Sequence, residues 1–273
     1  MNATHNPLPV KGRLTHCTIS SLLVALLMTA ASIAGLRYRT DIYPTQELLH
    51  SFVPNDVVNL IIGLPILLGS MELARRGKLI GLLCWPGALF YALYNYTAYV
   101  FAMPLNRAFP LHLVLVMLCL YTLIALVAGL DGKAIRQTLA GAVPEKFAGG
   151  VLAGFGLLFF LRALGVMVNA ISIGDPPTET ELAVNLSDFL TAPASILGGI
   201  LLWQRRELGY AAALGLLFQG GMLFIALIAF FLLQPLLTEA PLALTDMFVI
   251  LVMGLIIFVP FTLFARGVVK RSS

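Results

Sequence analysis

The apolar residues of this chain gather into long runs broken by short polar connections. A helix needs roughly 20 mostly apolar residues to cross the hydrocarbon core of a bilayer. Eight runs qualify, at residues 19–36, 56–74, 79–102, 111–130, 147–173, 188–203, 209–233 and 245–265, the sixth being the shortest. The pattern predicts an all-α bundle of about eight transmembrane helices, forming one integral membrane domain over residues 1–273. The longest connections, 37–55 and 131–146, leave no room for a soluble domain.

Composition agrees with that pattern. Hydrophobic residues make up 59% and charged residues 11%, against about 25% charged in a soluble domain. A water-soluble globule could not cover its surface with so few charges, whereas lipid requires an apolar outer surface. The formal net charge of +4 reads as topology once its distribution is followed. Lys11, Arg13, Arg75, Arg76, Lys78, Lys133, Arg136, Lys146, Arg205, Arg206, Arg266, Lys270 and Arg271 fall on alternate connections. The intervening connections hold only Arg37, Arg39 and Arg107. The positive-inside rule then places both termini in the cytoplasm. Lys11 and Arg13, the first apolar run and Ser32-Ile33-Ala34 also have the layout of a signal peptide, although the run is long for one. No basic run interleaved with aromatics points to nucleic acid. The lipid bilayer is the one partner the sequence implies.

Three segments open with a small polar residue followed by aspartate: Asn55-Asp56, Ser187-Asp188 and Thr245-Asp246. They read as N-caps with a carboxylate in the first turn. Asp56, Asn59 and Gly63 share a spacing with Asp188, Thr191 and Ser195, and both segments end in Arg-Arg. The likeness suggests internal repeats over 1–130 and 147–273, arranged as two parallel four-helix halves.

Arg162 stands out among the polar residues because it lies near the middle of the fifth run. An arginine at the bilayer centre costs about 2.5–3.5 kcal/mol on insertion scales, so it is expected to face the bundle interior and find a partner. Asn169 lies seven residues on, on the same helix face. Asp56, Asp188 and Asp246, at the outer ends of their runs, are candidate partners, ahead of Glu72 beside Arg75. The third run ends in Tyr91, Tyr94, Tyr96 and Tyr99, an aromatic belt in one reading. In the other, Tyr91, Tyr94, Asn95 and Ala98 form an inward face that lines a pocket. Gln219 among Gly215, Gly220 and Gly221, and Gly150-xxx-Gly154, read as packing features.

Cys17, Cys84 and Cys119 carry no CxxC spacing, and no histidine pair has metal-ligand spacing. No cofactor or metal is expected. No Ser/His/Asp or glycine-rich phosphate pattern supports nucleophilic catalysis or nucleotide binding.

The stretch 55–106, above all Leu79-Ile80-Gly81-Leu82-Leu83-Cys84-Trp85-Pro86-Gly87-Ala88-Leu89-Phe90-Tyr91-Ala92-Leu93-Tyr94-Asn95-Tyr96, resembles a group of prokaryotic multi-pass membrane proteins. The resemblance implies a prokaryotic cell membrane and no particular chemistry. The functional expectation is a permease-like protein for a small polar or anionic solute. Its pocket would lie between the second, third, fifth and sixth helices. Arg162 would bind the anionic group, Asp56 and Asp188 would balance the charge or bind protons, and Asn95 and Asn169 would orient the ligand, with Asn59 and Tyr94 as further candidate ligand-binding residues. A membrane-embedded enzyme acting on a lipid, with an aspartate base and Arg162 on a phosphate, is the competing expectation. A non-catalytic sensor or assembly subunit is the third.

Overall fold

The computed structural model describes residues 8–103, 105–174 and 176–272. Among the described residues, eight helices are long and apolar enough to cross a membrane. They are α1 (Thr15–Arg37), α2 (Gln46–Arg75), α3 (Leu79–Ala102), α4 (Phe109–Gly129), α5 (Glu145–Ile173), α6 (Glu179–Trp203), α7 (Glu207–Leu237) and α8 (Leu244–Ser272). The chain is a multi-pass membrane protein. Large apolar side chains on the outer faces of α1, α4, α5 and α8, such as Leu26, Met117, Leu158 and Phe248, are exposed. Lipid is the solvent such faces require.

Helix α3 is the axis of the bundle, and nearly all of its residues are buried. It passes α7 at a glycine contact, where a β-carbon on Gly87 would overlap the Gly215 carbonyl oxygen. Helices α5 and α6 meet at a second such seam, with Gly149 against Gly199 and Gly156 against Ala192 and Ile196. Small residues let membrane helices approach until backbone packs on backbone. The expected Gly150-xxx-Gly154 pair is not that seam. Gly150 meets the Trp203 ring, and a side chain on Gly154 would meet nothing within 4 Å.

The first and last described segments both pack at the end of the bundle that carries the arginine pairs, called here the basic end. Lys11 donates its backbone N–H to Gly129 (2.8 Å) and its ammonium to the Ala128 carbonyl (3.1 Å). Gly267, near the close of α8, packs on the Ala142 carbonyl. Glu145 fastens the same region by accepting from the Gly141 N–H (2.8 Å) and the Tyr210 hydroxyl (2.9 Å). Gly141 sits at φ 73°, where a side chain would be strained.

Two helix starts differ from the expectation, with consequences for the site. Helix α2 begins ten residues earlier, capped by Thr45, whose hydroxyl accepts the Leu48 N–H at 3.2 Å. Helix α6 begins nine residues earlier, capped by Thr178 accepting from Glu181 N–H at 3.3 Å. Asn55 and Ser187 are therefore not caps, and Asp56 and Asp188 lie inside their helices. Asp246 does lie in the first turn of α8. The polar first turns of α2 and α6 lack the apolar character used to set the boundaries, yet they continue the helices beyond the hydrocarbon. Within α2, residues Asn59–Gly63 form a π-helical turn just before Pro65. Proline cannot donate to the ladder and its ring crowds the carbonyl four residues back, which widens the turn there.

The tyrosines of α3 are not a lipid-facing belt. Tyr91, Tyr96 and Tyr99 are fully buried. Their hydroxyls lie inside the protein, where each needs a polar neighbour.

Candidate functional site: a cavity and a buried carboxylate behind its wall

A cavity of about 330 Å³ lies between α2, α3, α5, α6, α7 and α8. Much of its wall is aromatic, with Phe52, Phe90, Phe155, Phe159, Phe224 and Phe230. Its polar lining comes from four helices: Ser51 and Asn55 from α2, Tyr94 and Asn95 from α3, Thr180, Asp188, Thr191 and Ser195 from α6, and Gln219 from α7. Asp188 is the only charged residue among those lining the cavity, which include no lysine or arginine.

Asp188 is held by one partner in the cavity wall and one behind it. Its Oδ1 accepts from the Tyr94 hydroxyl at 2.8 Å. Its Oδ2 is 3.9 Å from Nη2 of Arg162, a pair in which the carboxylate side chain is 8% exposed and the guanidinium 45%. The arginine is therefore a loose partner at the back of the wall and does not line the cavity, contrary to the expectation that it faces inward. Depth explains why this is tolerated. Counting about 20 residues at 1.5 Å each from the basic ends puts the far hydrocarbon boundary near residue 183 on α6 and 166 on α5. Arg162 is thus only about 6 Å inside that boundary, within reach of water for a flexible side chain that snorkels. Asn169 lies beyond the boundary on the exposed face of α5 and joins neither polar cluster.

A second polar cluster lies behind the cavity, between α1, α2, α3 and α4. Asp56 is 1% exposed. Its Oδ1 accepts from the Tyr99 hydroxyl (2.9 Å) and its Oδ2 from the Tyr43 hydroxyl (2.5 Å). The Ser32 hydroxyl of α1 also faces this carboxyl. Gly35 makes the arrangement possible, because a β-carbon there would overlap Asp56 Oδ2 and the Tyr43 hydroxyl. Burial, reinforced by the facing Asp56 carboxyl, holds the Tyr43 phenol well above its ordinary range. Tyr43 precedes α2 and lies outside the membrane spans. The ring of His112 packs edge-on to Tyr99, with centroids 4.8 Å apart.

The two clusters are joined through α2. The Asn55 amide donates to Asn95 Oδ1 (3.3 Å) on the cavity wall and to the Tyr99 hydroxyl (3.2 Å) on the Asp56 side. Asn59 also donates to Tyr99 (3.4 Å). Asn95 is anchored in turn to the Tyr91 carbonyl (3.0 Å). Of the residues singled out from sequence, Tyr94, Asn95 and Asp188 meet at the cavity, and Asp56 and Asn59 meet in the cluster behind it. The two similarly spaced sets on α2 and α6 face different surroundings: Asp188, Thr191 and Ser195 line the cavity, whereas Asp56, Asn59 and Gly63 do not.

Asn55, Tyr43, Tyr99 and Gln219 were not expected to carry these roles. Asn55 was hidden by its resemblance to a cap, Tyr99 by the belt reading, and Gln219 by its glycine neighbours. Tyr43 had no sequence signal. At the far end polar contacts cross between the helices: Glu47 accepts from Thr180 N–H (3.0 Å), Thr180 donates to Ser51 (3.2 Å), and Gln234 of α7 donates to the His50 carbonyl (3.2 Å).

No known protein family matches the chain, and neither curated proteins nor solved structures include one similar to it.

Proposed function

We propose that this protein is a permease of a prokaryotic cell membrane, oriented with its basic end in the cytoplasm. Its cavity takes a small amphipathic molecule, apolar over most of its surface and bearing one cationic or strongly donating group. The observation that carries this reading is the lining itself: aromatic walls around a single buried carboxylate, Asp188, with no basic residue facing in. A free anion would meet the Asp188 carboxylate inside the cavity, while Arg162 touches that carboxylate only loosely and does not line the cavity, so the sequence-based expectation of an anionic solute gives way to its opposite in sign. The volume, near the low end for ligand pockets, suits a ligand of about ten heavy atoms.

Transport needs one end to open. The far end is held by individual polar bonds among Glu47, Ser51, Thr180, His50 and Gln234. Deeper in the bundle the helices are locked by backbone contacts at Gly87–Gly215 and Gly149–Gly199. The far end is therefore the easier one to release. Lipid-phosphate chemistry fits poorly, since stabilising a phosphate needs a cation in the cavity.

The test is binding to purified protein in nanodiscs, comparing 2-phenylethylammonium, 2-phenylethanol and phenylacetate. The ammonium should bind most tightly and phenylacetate most weakly. Asp188→Asn should remove the preference for the ammonium and leave the alcohol bound. Tightest binding of phenylacetate, or an ammonium preference unchanged in Asp188→Asn, refutes the proposal.

A further inference from the structure

We infer that Asp56 is a proton-binding site coupled to the cavity, so that ligand binding changes its proton occupancy. The coupling rests on the cavity reading above, whereas the proton site itself stands on the geometry of the Asp56 cluster.

A carboxyl removed from water needs a counter-charge, a metal ion or a proton. The groups facing Asp56 from each packed element are Ser32 and Gly35 of α1, Tyr43 of the connection before α2, Asn55 and Asn59 of α2, and Tyr96 and Tyr99 of α3. None is a cation. His112 of α4 touches the Tyr99 ring and makes no bond to the carboxyl. A metal ion fits no better. Both carboxyl oxygens are occupied by phenol donors, the carboxyl fills the space a β-carbon on Gly35 would take, and Asp56 lines neither described cavity. No group of three metal-ligating side chains occurs among the described residues. What the site has room for is a proton.

The two phenols give the proton a balanced chemistry. With Asp56 ionised, both hydroxyls donate to it, and the 2.5 Å bond from Tyr43 has the length of a charge-assisted contact. With Asp56 neutral, its own O–H bond donates to one phenol oxygen, and that hydroxyl turns to another acceptor. Tyr43 connects the site to the far end, because it lies on the connection before α2.

The link to the cavity is Asn55. Its amide nitrogen is shared between Asn95 on the wall and Tyr99 beside Asp56. A ligand that takes the Asn95 or Asn55 hydrogen bond alters what Tyr99 receives, and so alters the donor strength of its bond to Asp56. By linkage, proton binding changes ligand affinity by the same factor.

Two measurements test this. Infrared spectra of the protein in nanodiscs should contain a protonated-carboxyl band that converts to carboxylate as pH rises and is absent from Asp56→Asn. Tyr43→Phe removes one donor to the ionised form and should move the conversion to higher pH by a measurable shift. If wild type and Asp56→Asn give the same carboxyl spectra at every pH, or Tyr43→Phe titrates unshifted, the proton site is overturned. Calorimetry of 2-phenylethylammonium binding in two buffers of different ionisation enthalpy reads the coupling. A non-zero proton number in wild type should fall to zero in Asp56→Asn while binding persists, and Asn55→Ala should reduce it. A proton number of zero in wild type overturns the coupling. If the probe does not bind at all, the cavity reading fails and the coupling with it, while the infrared band still decides the proton site.

Discussion

Tyr99→Phe deletes one oxygen atom and, with it, the junction of the polar interior. That oxygen donates to Asp56 (2.9 Å) and accepts from Asn55 (3.2 Å) and Asn59 (3.4 Å). A hydrogen bond to a charged group contributes about 1.5–3 kcal/mol. Side-chain bonds between membrane helices average only about 0.6 kcal/mol, because the unfolded chain in the bilayer finds other partners. The Asp56 bond belongs to the first class when ionised and to the second when neutral. The two amide bonds belong to the second, and are long. Phenylalanine keeps the ring contacts with Phe52 and His112, so little packing is lost. The expected destabilisation is about 2–4 kcal/mol. Reversible unfolding of the protein in mixed micelles of increasing SDS fraction would read it, with Tyr121→Phe as control. Tyr121 is 63% exposed, so its substitution should change stability by less than about 0.5 kcal/mol. A Tyr99→Phe variant within that same margin would mean that the hydroxyl does not hold the network together, and the link between cavity and Asp56 would be lost with it.

Arg162→Ala should raise the affinity for a hydrophobic ammonium, measured by calorimetry, because it removes the cation competing for Asp188; an anion site would lose its ligand instead. Gly87→Ala should cost about 1–3 kcal/mol by forcing α3 off the Gly215 carbonyl. Gly154→Ala, which meets nothing, should be neutral or slightly stabilising by helix propensity. Equal melting of the two variants would contradict the packing. Tyr43 predicts an alkaline limit. Its folded pKa is raised, so the unfolded chain loses the phenol proton first, near pH 10. Its contribution is complete below about pH 10 and declines above it, and Tyr43→Phe should flatten that decline in a denaturation series against pH.

The lipid-embedded architecture was legible because it depends on long apolar runs and on alternating basic connections, both of which are one-dimensional properties. Helix starts were less legible where they extend past the hydrocarbon. Thr45 and Thr178 cap segments too polar to register as spans, and Thr178 with Glu181 even has the spacing of a capping box. The cavity residues Tyr94, Asn95 and Asp188 could be picked out because polar groups in apolar runs are few. The facing of Arg162 could not. Helical spacing places it on one side of α5, but whether that side meets protein or lipid depends on how α5 and α6 pack, through Gly149, Gly156 and Gly199. Tyr43 was invisible for the same reason: its partner is thirteen residues away, across a turn.

The two aspartates look alike in sequence and differ in what surrounds them, and this difference carries the functional argument. Asp188 is about five residues inside the hydrocarbon boundary, with a tyrosine on one oxygen, an arginine within 4 Å of the other, and a cavity in front of it. It can exchange a weak partner for a ligand. Asp56 lies at about the boundary, yet has no cation, no cavity and two tyrosines. It can exchange only a proton. Both sets of bonds reach α3, through Tyr94 on one face and Tyr99 on another, five residues apart on the most deeply buried helix. A change at either carboxylate must be accommodated by the same helix. That helix is pinned at Gly87 against Gly215 toward its basic end and hydrogen-bonded to both acids toward the other. Tilting about the glycine contact would move Tyr94 and Tyr99 together, so the bundle has a mechanical route by which ligand and proton could report on each other. Blocking that tilt with a cysteine cross-link between α3 and α7 at the far end should abolish the proton number measured on ligand binding while leaving the Asp56 carboxyl band in place; a cross-linked protein that still exchanges protons on binding would refute it.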